Sequence, residues 1–466
     1  MKYICNFLMI SLCLSCGEKQ EKKPDAMEKT KETVKLMTLD PGHFHAALVH
    51  KTMYPQVDST IYLYAPKGSE ALDFLNKIES YNSRVESPTQ WNIEKNFSDD
   101  FLGDMITDKP GNVMVVAGKN SKKIDYILAA VEAGLNVYAD KPLVINRQGF
   151  EKLKLAFEIA EKNGVLIYDI MTERFESTTM MQKLFASLPS VFGELVDGTL
   201  EEPAISKESV HHFFKYVSGS PLVRPAWFFD VNEEGDGIVD VTTHLVDMVQ
   251  WGAFPGQIID TTDIQMLNAK RWPTVLSLEE FTKVTKHVSF PDYLQKDVVD
   301  GKLHTFSNGE MSYKIKGKHA SVSVAWNYKA PEGTGDTHYS VMRGTKCDLL
   351  IKQGNEENFK PILYIESDLG SDFENVLNLV VKNEVANNFP GTTVDKISDG
   401  RWRVTIPDEF KIGHEAHFTQ VTENYLTYLV SGKLPVWEVP NMITKYYITI
   451  AAYEMALANK SNTLNE

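Results

Sequence analysis

Short apolar runs alternate with amphipathic stretches along the first third of the chain. Five apolar runs predict strands, at residues 34–39, 59–65, 112–118, 135–140 and 164–171. The stretches between them are expected to be helical, at 43–53, 69–79, 124–131 and 150–160, the last two with apolar residues at helical spacing. Strands that are apolar on both faces and alternate with helices predict a doubly wound parallel sheet of the Rossmann type. We therefore expect an α/β fold whose first domain covers residues 34–173.

The pattern changes after about residue 175. Polar and apolar residues alternate in runs such as 310–317, 320–328 and 401–407, as in an antiparallel sheet with one exposed face. Two apolar helices, at 414–430 and roughly 441–458, close the chain and are expected to pack back across the join. Residues 174–466 are thus predicted to form an α+β substrate-binding domain with an open, mainly antiparallel sheet.

The N-terminal 33 residues differ from both domains. Lys2 precedes an apolar stretch at 4–14, far shorter than the ~20 residues of a membrane-spanning helix, so residues 1–16 are predicted to be a signal peptide. Its end, "LSCGEKQEKK", resembles a bacterial lipoprotein signal, which implies lipidation of Cys16; the alternative is a secretory signal cut somewhat later. Residues 17–33 are charged and predict a solvated tether. We expect an exported protein, on the periplasmic or outer-surface side, whose lipid is its one membrane contact.

Charge and cysteine content narrow the function classes. In 466 residues, 48 Lys and Arg against 63 Asp and Glu give a formal net charge of −15. That balance argues against nucleic acid as a partner, because basic side chains bind a phosphate backbone. Of the four cysteines only Cys347 lies beyond residue 16, so no disulfide is expected in the mature chain.

The segment "LDPGHFHAALV", residues 39–49, follows the first predicted strand, where dinucleotide-binding folds carry a glycine-rich phosphate loop. Asp40, Gly42 and His45 occupy the three glycine positions of that pattern, so only the glycine that lets the backbone approach a pyrophosphate is present. A capped helix start without a ligand is the alternative. His43 and His45 form a His-x-His pair, but without a third ligand in the sequence no metal site is predicted.

Two later segments carry residues suited to catalysis. In "ADKPL" (139–143), Lys141 follows the fourth predicted strand, at the sheet edge where ligands bind. In "GDGIVDVTTHLVDMVQW" (235–251), Asp240, His244 and Asp247 are spaced i, i+4, i+7 and would share one face of a helix. Burying such groups is costly unless they are paired or functional, so both segments are candidates for an active site.

Together these segments resemble the glucose–fructose oxidoreductase and inositol dehydrogenase (Gfo/Idh/MocA) family. The similarity covers the acid-Lys-Pro motif at Asp140, Lys141 and Pro142, and the later helix motif at Gly237, Asp240, His244 and Asp247. Asn120 in "GKN" and Arg174 in "MTERF" also match family positions. The loop variant "DPGHFHA" is similar to that of an exported Bacteroidetes-type subgroup with its own C-terminal domain.

The resemblance implies a bound dinucleotide, NAD or NADP, and a hydroxyl substrate. The residues expected at the cofactor are Asp40, Gly42, His43, His45, Asn120, Asp140, Lys141 and Pro142. Lys141 and His244 are expected to handle the hydroxyl proton, with Asp240 orienting or charge-balancing them. The residues expected at a carbohydrate substrate are Arg174, His212, Arg224, Trp227 and Asp247, where the indole of Trp227 suits stacking on a sugar.

The function predicted is oxidation of a sugar, polyol or glycoside hydroxyl with a tightly held, internally recycled cofactor. Two alternatives remain open: a redox-neutral glycosidase or lyase step through a 3-keto sugar, and a non-catalytic glycan-binding protein on a dehydrogenase scaffold. No acid directly follows the second strand to bind the adenosine ribose, so the choice between NAD and NADP is open. A homo-oligomer is possible.

Overall fold

The computed structural model describes residues 33–217 and 220–463. The predicted signal peptide with Cys16, and the tether up to residue 32, lie outside the described residues. Within the described ranges, no helix combines the length and the apolar character needed to cross a membrane.

The first sheet has six strands, all parallel, in the order β3-β2-β1-β4-β5-β6. The strands are β1 (Val34–Leu39), β2 (Val57–Ala65), β3 (Asn92–Phe97), β4 (Val113–Val116), β5 (Asn136–Asp140) and β6 (Ile167–Ile170). The helices between them are α1 (His45–Leu48), α2 (Ser69–Ser83), α3 (Phe101–Asp108), α4 (Asn120–Glu132) and α5 (Arg147–Asn163). The strand order reverses between β1 and β4, and in such sheets ligands bind at the carboxyl ends beside that point. The predicted Rossmann-type sheet is confirmed.

Strand β3 and helix α3 were not predicted from the sequence. No residue of β3 is buried, since it is the edge strand and pairs with β2 alone. An edge strand with polar residues gives no apolar run by which to recognise it. Helix α1 is also shorter than the 43–53 predicted, because backbone bonds such as Ala46 N to His43 O and His50 N to Ala47 O close three-residue turns.

The second sheet has ten strands in the order β10-β12-β13-β7-β14-β15-β16-β18-β17, with β11 beside β12. The strands are β7 (Ile205–Phe214), β10 (Ile264–Leu276), β11 (Val298–Val299), β12 (Lys302–Ile315), β13 (Lys318–Lys329), β14 (Thr337–Arg343), β15 (Asp348–Gln353), β16 (Ile362–Glu366), β17 (Thr393–Ser398) and β18 (Arg401–Thr405). Only the β13–β7 pair is parallel among these described strands, so the mainly antiparallel sheet is confirmed. A separate hairpin joins β8 (Tyr216–Val217) to β9 (Ser220–Pro221).

Seven further α-helices are described beyond the first domain in chain order. They are α6 (Ser177–Ala186), α7 (Thr242–Ala253), α8 (Leu278–Thr285), α9 (Gly370–Val380), α10 (Ala386–Asn388), α11 (His414–Ser431) and α12 (Glu438–Thr463). A single π-helical turn, Val381–Val385, connects α9 to α10.

The two closing helices pack against the first sheet. The ring of Tyr425 in α11 stacks on Tyr138 of β5 and Tyr168 of β6, with centroids 4.6 and 5.6 Å apart. In α12, the Tyr446 hydroxyl donates to Asp169 Oδ2 of β6 at 2.8 Å. Residues 34–466 therefore form one unit that contains both sheets, and the domain boundary at 173/174 stays a prediction.

Candidate active site

The loop after β1 lies against the end of β4. Gly42 N donates to Asp40 O at 2.8 Å, and His43 N donates to Ala117 O at 3.1 Å. Asp40 has a left-handed backbone, φ 44°, a conformation that Asp adopts more readily than most residues. A Cβ on Gly118 would lie 2.5 Å from Asp40 O, so the close approach of the two loops depends on that glycine. The loop thus keeps a tight turn without the first glycine of the dinucleotide pattern.

A cavity of about 670 Å³ opens beside this loop, at the carboxyl ends of β1 and β2. Its lining includes Gly42, His43, Ser69, Glu70 and Arg224. A Cβ on Gly42 would lie 3.1 Å from Glu70 Oε2 and 3.3 Å from Trp227 Cζ2, so the bare backbone of Gly42 keeps this part of the cleft open. The volume lies within the range of small-molecule and cofactor sites.

Glu70 is an acidic residue that lines this cavity shortly after the end of β2. It lies in the first turn of α2, separated from the strand by a short loop, and accepts a 2.6 Å hydrogen bond from Trp227 Nε1. Burial raises the pKa of Glu70, although the Trp227 bond and the charge of Lys119 oppose that shift. No acid directly follows β2, as expected, and a contact between Glu70 and the adenosine ribose stays a proposal. In the sequence, Glu70 could have been noticed as the acidic residue at the start of the helix that follows the second strand.

Lys141 and Asp240 form an ion pair between the end of β5 and the turn before α7. Lys141 Nζ donates to Asp240 Oδ1 at 2.6 Å, and the two side chains are only 10% and 8% exposed. Burial opposes the charge of the lysine, but the Asp240 carboxylate outweighs it and raises the pKa of Lys141. Lys141 is followed by a cis peptide bond to Pro142. The structure thus brings together two residues predicted to be catalytic, 99 positions apart in the chain.

His244, in the first turn of α7, lies close enough to Lys141 to be affected by its charge. Its buried Nδ1 has no hydrogen-bond partner among the described residues. Burial first, and then the Lys141 charge, lower the pKa of His244 to about 3. The imidazole is therefore neutral near pH 7. The prediction that Asp240 orients or charge-balances Lys141 and His244 agrees with its bond to Lys141, and its effect on His244 stays a prediction.

His43 and His45 converge on Asp140, the residue before Lys141. His45 Nδ1 is 2.9 Å from Asp140 Oδ2, and His43 Nδ1 is 3.6 Å from the same oxygen. Burial lowers the pKa of both imidazoles, and the two rings meet edge to face with centroids 4.1 Å apart. The loop after β1 and the end of β5 thus share one cluster of donor atoms.

Lys123, which the sequence analysis missed, holds the turn that carries Asp140. Its buried Nζ donates to Asn120 Oδ1, Asp140 O and Pro142 O at 2.6, 2.7 and 3.0 Å. Asn120 in turn donates to Glu234 O at 2.6 Å. Burial lowers the pKa of Lys123 to about 8. In the sequence, Lys123 could have been noticed as a lysine directly before the apolar stripe of α4.

Comparison with known proteins places the chain in a family. Residues 181–457, more than half of the chain, match the family model described as "Putative oxidoreductase C terminal domain". A crystal structure described as an oxidoreductase from Parabacteroides merdae is 52% identical, with 91% of this chain and 98% of that chain covered and a TM-score of 0.89. The chain belongs to this oxidoreductase family.

More distant structures share the fold of the oxidoreductase. Levoglucosan dehydrogenase in complex with NADH is 14% identical, covers 92% of this chain and 98% of its own, and has a TM-score of 0.59. Biliverdin reductase from Synechocystis, in complex with biliverdin and NADP⁺, is 10% identical, with 91% and 98% covered and a TM-score of 0.55. No curated protein matches the sequence significantly.

Arg174 and Asp247 of the oxidoreductase lie in a buried ion network. Arg174 donates to Asp247 Oδ2 and to Glu438 Oε1, both at 2.6 Å, and Lys445 Nζ donates to Asp247 Oδ1 at 2.9 Å. Helix α7 begins at Thr242, so Asp240 precedes it and the predicted shared face with Asp247 does not form. Because their charges are already paired, we propose a structural role for Arg174 and Asp247 in place of the predicted substrate contact.

The other predicted substrate residues lie in two places. His212 Nδ1 is 2.8 Å from Asp336 Oδ1 and lines a separate cavity of about 640 Å³. Arg224 lines the cavity beside Gly42, donates to Phe213 O at 3.1 Å and has its guanidinium over the Phe228 ring. Burial lowers the pKa of Arg224 to about 10. Trp227 is buried, with its indole N–H bonded to Glu70.

Proposed function

We propose that this oxidoreductase is NAD(P)-dependent and acts on a hydroxyl group of a sugar, polyol or glycoside. The observation that carries the proposal is the 2.6 Å pair of Lys141 and Asp240 at the carboxyl end of β5, with the neutral His244 close by. This edge of a doubly wound sheet is where cofactors and substrates bind. The distant fold neighbours that contain NADH or NADP⁺ support the choice of cofactor.

The residues around Gly42 fit a dinucleotide. A Cβ on Gly42 would narrow the cleft against Glu70 and Trp227, and His43 and Ser69 line the same space. A nicotinamide cofactor held there would supply the acceptor for the hydride of the carbinol carbon. Glu70 stands after β2, where an acid bonds the adenosine ribose hydroxyls and repels a 2′-phosphate. We therefore infer a preference for NAD over NADP.

Three side chains would handle the substrate hydroxyl. The neutral imidazole of His244 would accept the hydroxyl proton as the C–H bond breaks. The Lys141 ammonium donates a hydrogen bond to the same oxygen and stabilises its developing negative charge. Asp240 fixes the position of Lys141 and balances its charge.

The proposal also includes an exported protein that is lipidated at Cys16, with the sequence of residues 1–16 as its support. Under this proposal the Cys16→Ser protein moves from the membrane fraction to the soluble fraction when cells are fractionated. Continued membrane association of that variant would rule out the lipid anchor.

The decisive experiment on function measures the nucleotide directly. Purified protein is denatured, any released nucleotide is identified by mass spectrometry, and binding of added NAD and NADP is measured by calorimetry. A panel of sugars and glycosides is then tested for absorbance of the reduced cofactor at 340 nm. We expect that the purified protein contains NAD or binds added NAD, and that at least one sugar causes net reduction of NAD to NADH. Absence of any nucleotide binding would overturn the proposal, and substrate cleavage without net reduction would favour the redox-neutral alternative.

A further inference from the structure

Three metal-ligating side chains meet at the junction of two loops. His43 lies in the loop after β1, His45 is the first residue of α1, and Asp140 ends β5. One donor atom from each of these side chains lies within 4.8 Å of the other two. Asp140 Oδ2 is the common point, 2.9 Å from His45 Nδ1 and 3.6 Å from His43 Nδ1.

These separations match those of atoms bound to one ion. Metal–nitrogen and metal–oxygen bonds of about 2.0–2.1 Å separate neighbouring ligands by about 3.3 Å in a tetrahedral site and about 2.9 Å in an octahedral one. The observed 2.9 and 3.6 Å lie within about 0.4 Å of the tetrahedral separation, whereas an octahedral site would need the 3.6 Å distance to shorten by about 0.7 Å. Two histidines and one carboxylate are also a ligand set of known zinc and non-haem iron sites.

His43 Nδ1 lies between two groups of the cluster. It is 3.4 Å from the backbone nitrogen of His45, which donates to it, and 3.6 Å from Asp140 Oδ2. Because the ring nitrogen has one lone pair, an ion bound at Nδ1 would replace this long hydrogen bond.

The backbone that carries the Asp140 carboxylate is held in place by a buried lysine. Lys123 Nζ holds the backbone carbonyl of Asp140 at 2.7 Å, an outer contact of the kind that orients metal ligands. Lys141, the adjacent cation, donates to Asp240. His43 lines the cavity beside Gly42, so the cluster is reached from that cleft.

We propose that His43, His45 and Asp140 bind one divalent transition-metal ion such as Zn²⁺, with the remaining coordination positions open to water or to a substrate oxygen. An ion there would be a Lewis acid next to Lys141. The proposal rests on the geometry of the three side chains and does not depend on the proposed oxidoreductase activity.

Cobalt binding tests the site without any turnover measurement. The full chain, purified without a polyhistidine tag and treated with a chelator, is titrated with Co²⁺ and followed by calorimetry and visible absorption. We expect one equivalent to bind, with d–d bands in the visible region, and Zn²⁺ to displace it. His43→Gln, His45→Gln and Asp140→Asn should each weaken binding by at least ~100-fold, more than the loss of an outer-shell partner. His304→Gln, a change in strand β12 of the second sheet, is the matched control.

The outcomes separate the metal site from the proposed function. Absence of stoichiometric Co²⁺ binding by the wild type overturns the metal site even if sugar oxidation is found. Binding that survives all three ligand substitutions, or that is lost equally in His304→Gln, also overturns it. Each variant is checked by circular dichroism, and a variant that does not fold is replaced by the alanine substitution at the same position. Metal binding that follows the three residues supports the site even in a protein that oxidises none of the sugars.

Discussion

The charge of Lys141 affects the neighbouring His244. Pairing with Asp240 raises the pKa of Lys141, and the lysine charge adds to the larger effect of burial in lowering the pKa of His244. The pKa of His244 is therefore expected to respond to the charge at position 141, and this can be measured without any turnover.

Replacing Lys141 by methionine should raise the pKa of His244 above about 3, because a nearby positive charge is removed while the burial remains. The imidazole titration is measured by NMR. Turnover on an accepted substrate should fall by about 10²–10⁴-fold, the usual contribution of a positioned acid–base group. Lys122→Met, at an exposed position of α4, is the control and should change neither quantity. An unchanged pKa of His244 in Lys141→Met would contradict the coupling.

Gly42→Val should abolish nucleotide binding and leave the fold intact. A side chain at Gly42 enters the cleft against Glu70 and Trp227, in the space assigned to the dinucleotide. Gly68→Val is the matched control, since a Cβ at Gly68 has no heavy atom within 4 Å. Nucleotide affinity is measured by calorimetry on both variants. Equal affinity in the wild type and a folded Gly42→Val protein would show that the cofactor binds elsewhere.

At the scale of secondary-structure elements, helix α12 forms ion pairs of two kinds with other parts of the chain. Arg174 of the segment after β6 reaches Glu438 at the start of α12 in a fully buried network with Asp247 and Lys445. Arg147 of α5 reaches Glu454, further along α12, at the surface. Buried pairs are costly to break because the remaining charge is left uncompensated, whereas exposed pairs contribute little.

Arg174→Met should lower the free energy of unfolding by about 3–5 kcal/mol, because Asp247 and Glu438 lose a buried partner. Arg147→Met, the exposed counterpart, should cost less than about 1 kcal/mol. Urea unfolding gives both values. The KM of folded Arg174→Met should equal that of the wild type. A stable variant with a raised KM would instead support the substrate contact predicted from the sequence.

For the whole molecule, buried histidines make stability depend on pH. Burial lowers the pKa of His50 to about 3, of His244 to about 3 and of His338 to about 4. In the unfolded chain each of these histidines has a pKa of about 6.5 and binds a proton below that pH, whereas in the folded chain it stays neutral until the pH reaches the lower folded pKa. Stability is therefore complete above pH 6.5 and decreases as the pH falls towards the folded pKa.

His50 provides the test of this dependence. Its ring packs against Trp91 and Phe74, and its Nε2 is bonded to Thr38 Oγ1 at 3.0 Å. Between pH 7.5 and pH 5 the histidine alone should reduce the free energy of unfolding by about 2 kcal/mol. His50→Gln, which keeps a polar group towards Thr38, should lose that part of the pH dependence. Unfolding curves at the two pH values measure the difference, and an equal decrease in both proteins would contradict the assignment.

The sequence by itself determined the kinds of elements and the order in which they occur. Strands β1, β2, β4, β5 and β6 were predictable because burial on both faces requires consecutive apolar residues, and the amphipathic helices because one stripe must face the core. The exposed edge strand β3 was not predictable, because a strand with no buried residue does not require a run of apolar residues. The motif residues Lys141, Asp240 and His244 could also be found, because local spacing marks them.

Only the tertiary structure decided which distant residues meet. Residue spacing tells which side of an element a side chain faces, but not which residue of another loop lies opposite it. The sequence therefore gave no means to pair Asp240 with Lys141 rather than His244, or to place Glu70 beside Gly42. The convergence of His43 and His45 on Asp140 likewise depends on β1 and β5 ending at the same edge of the sheet, both directly beside β4. Parallel strands bring their carboxyl ends together there, and that shared edge creates the site.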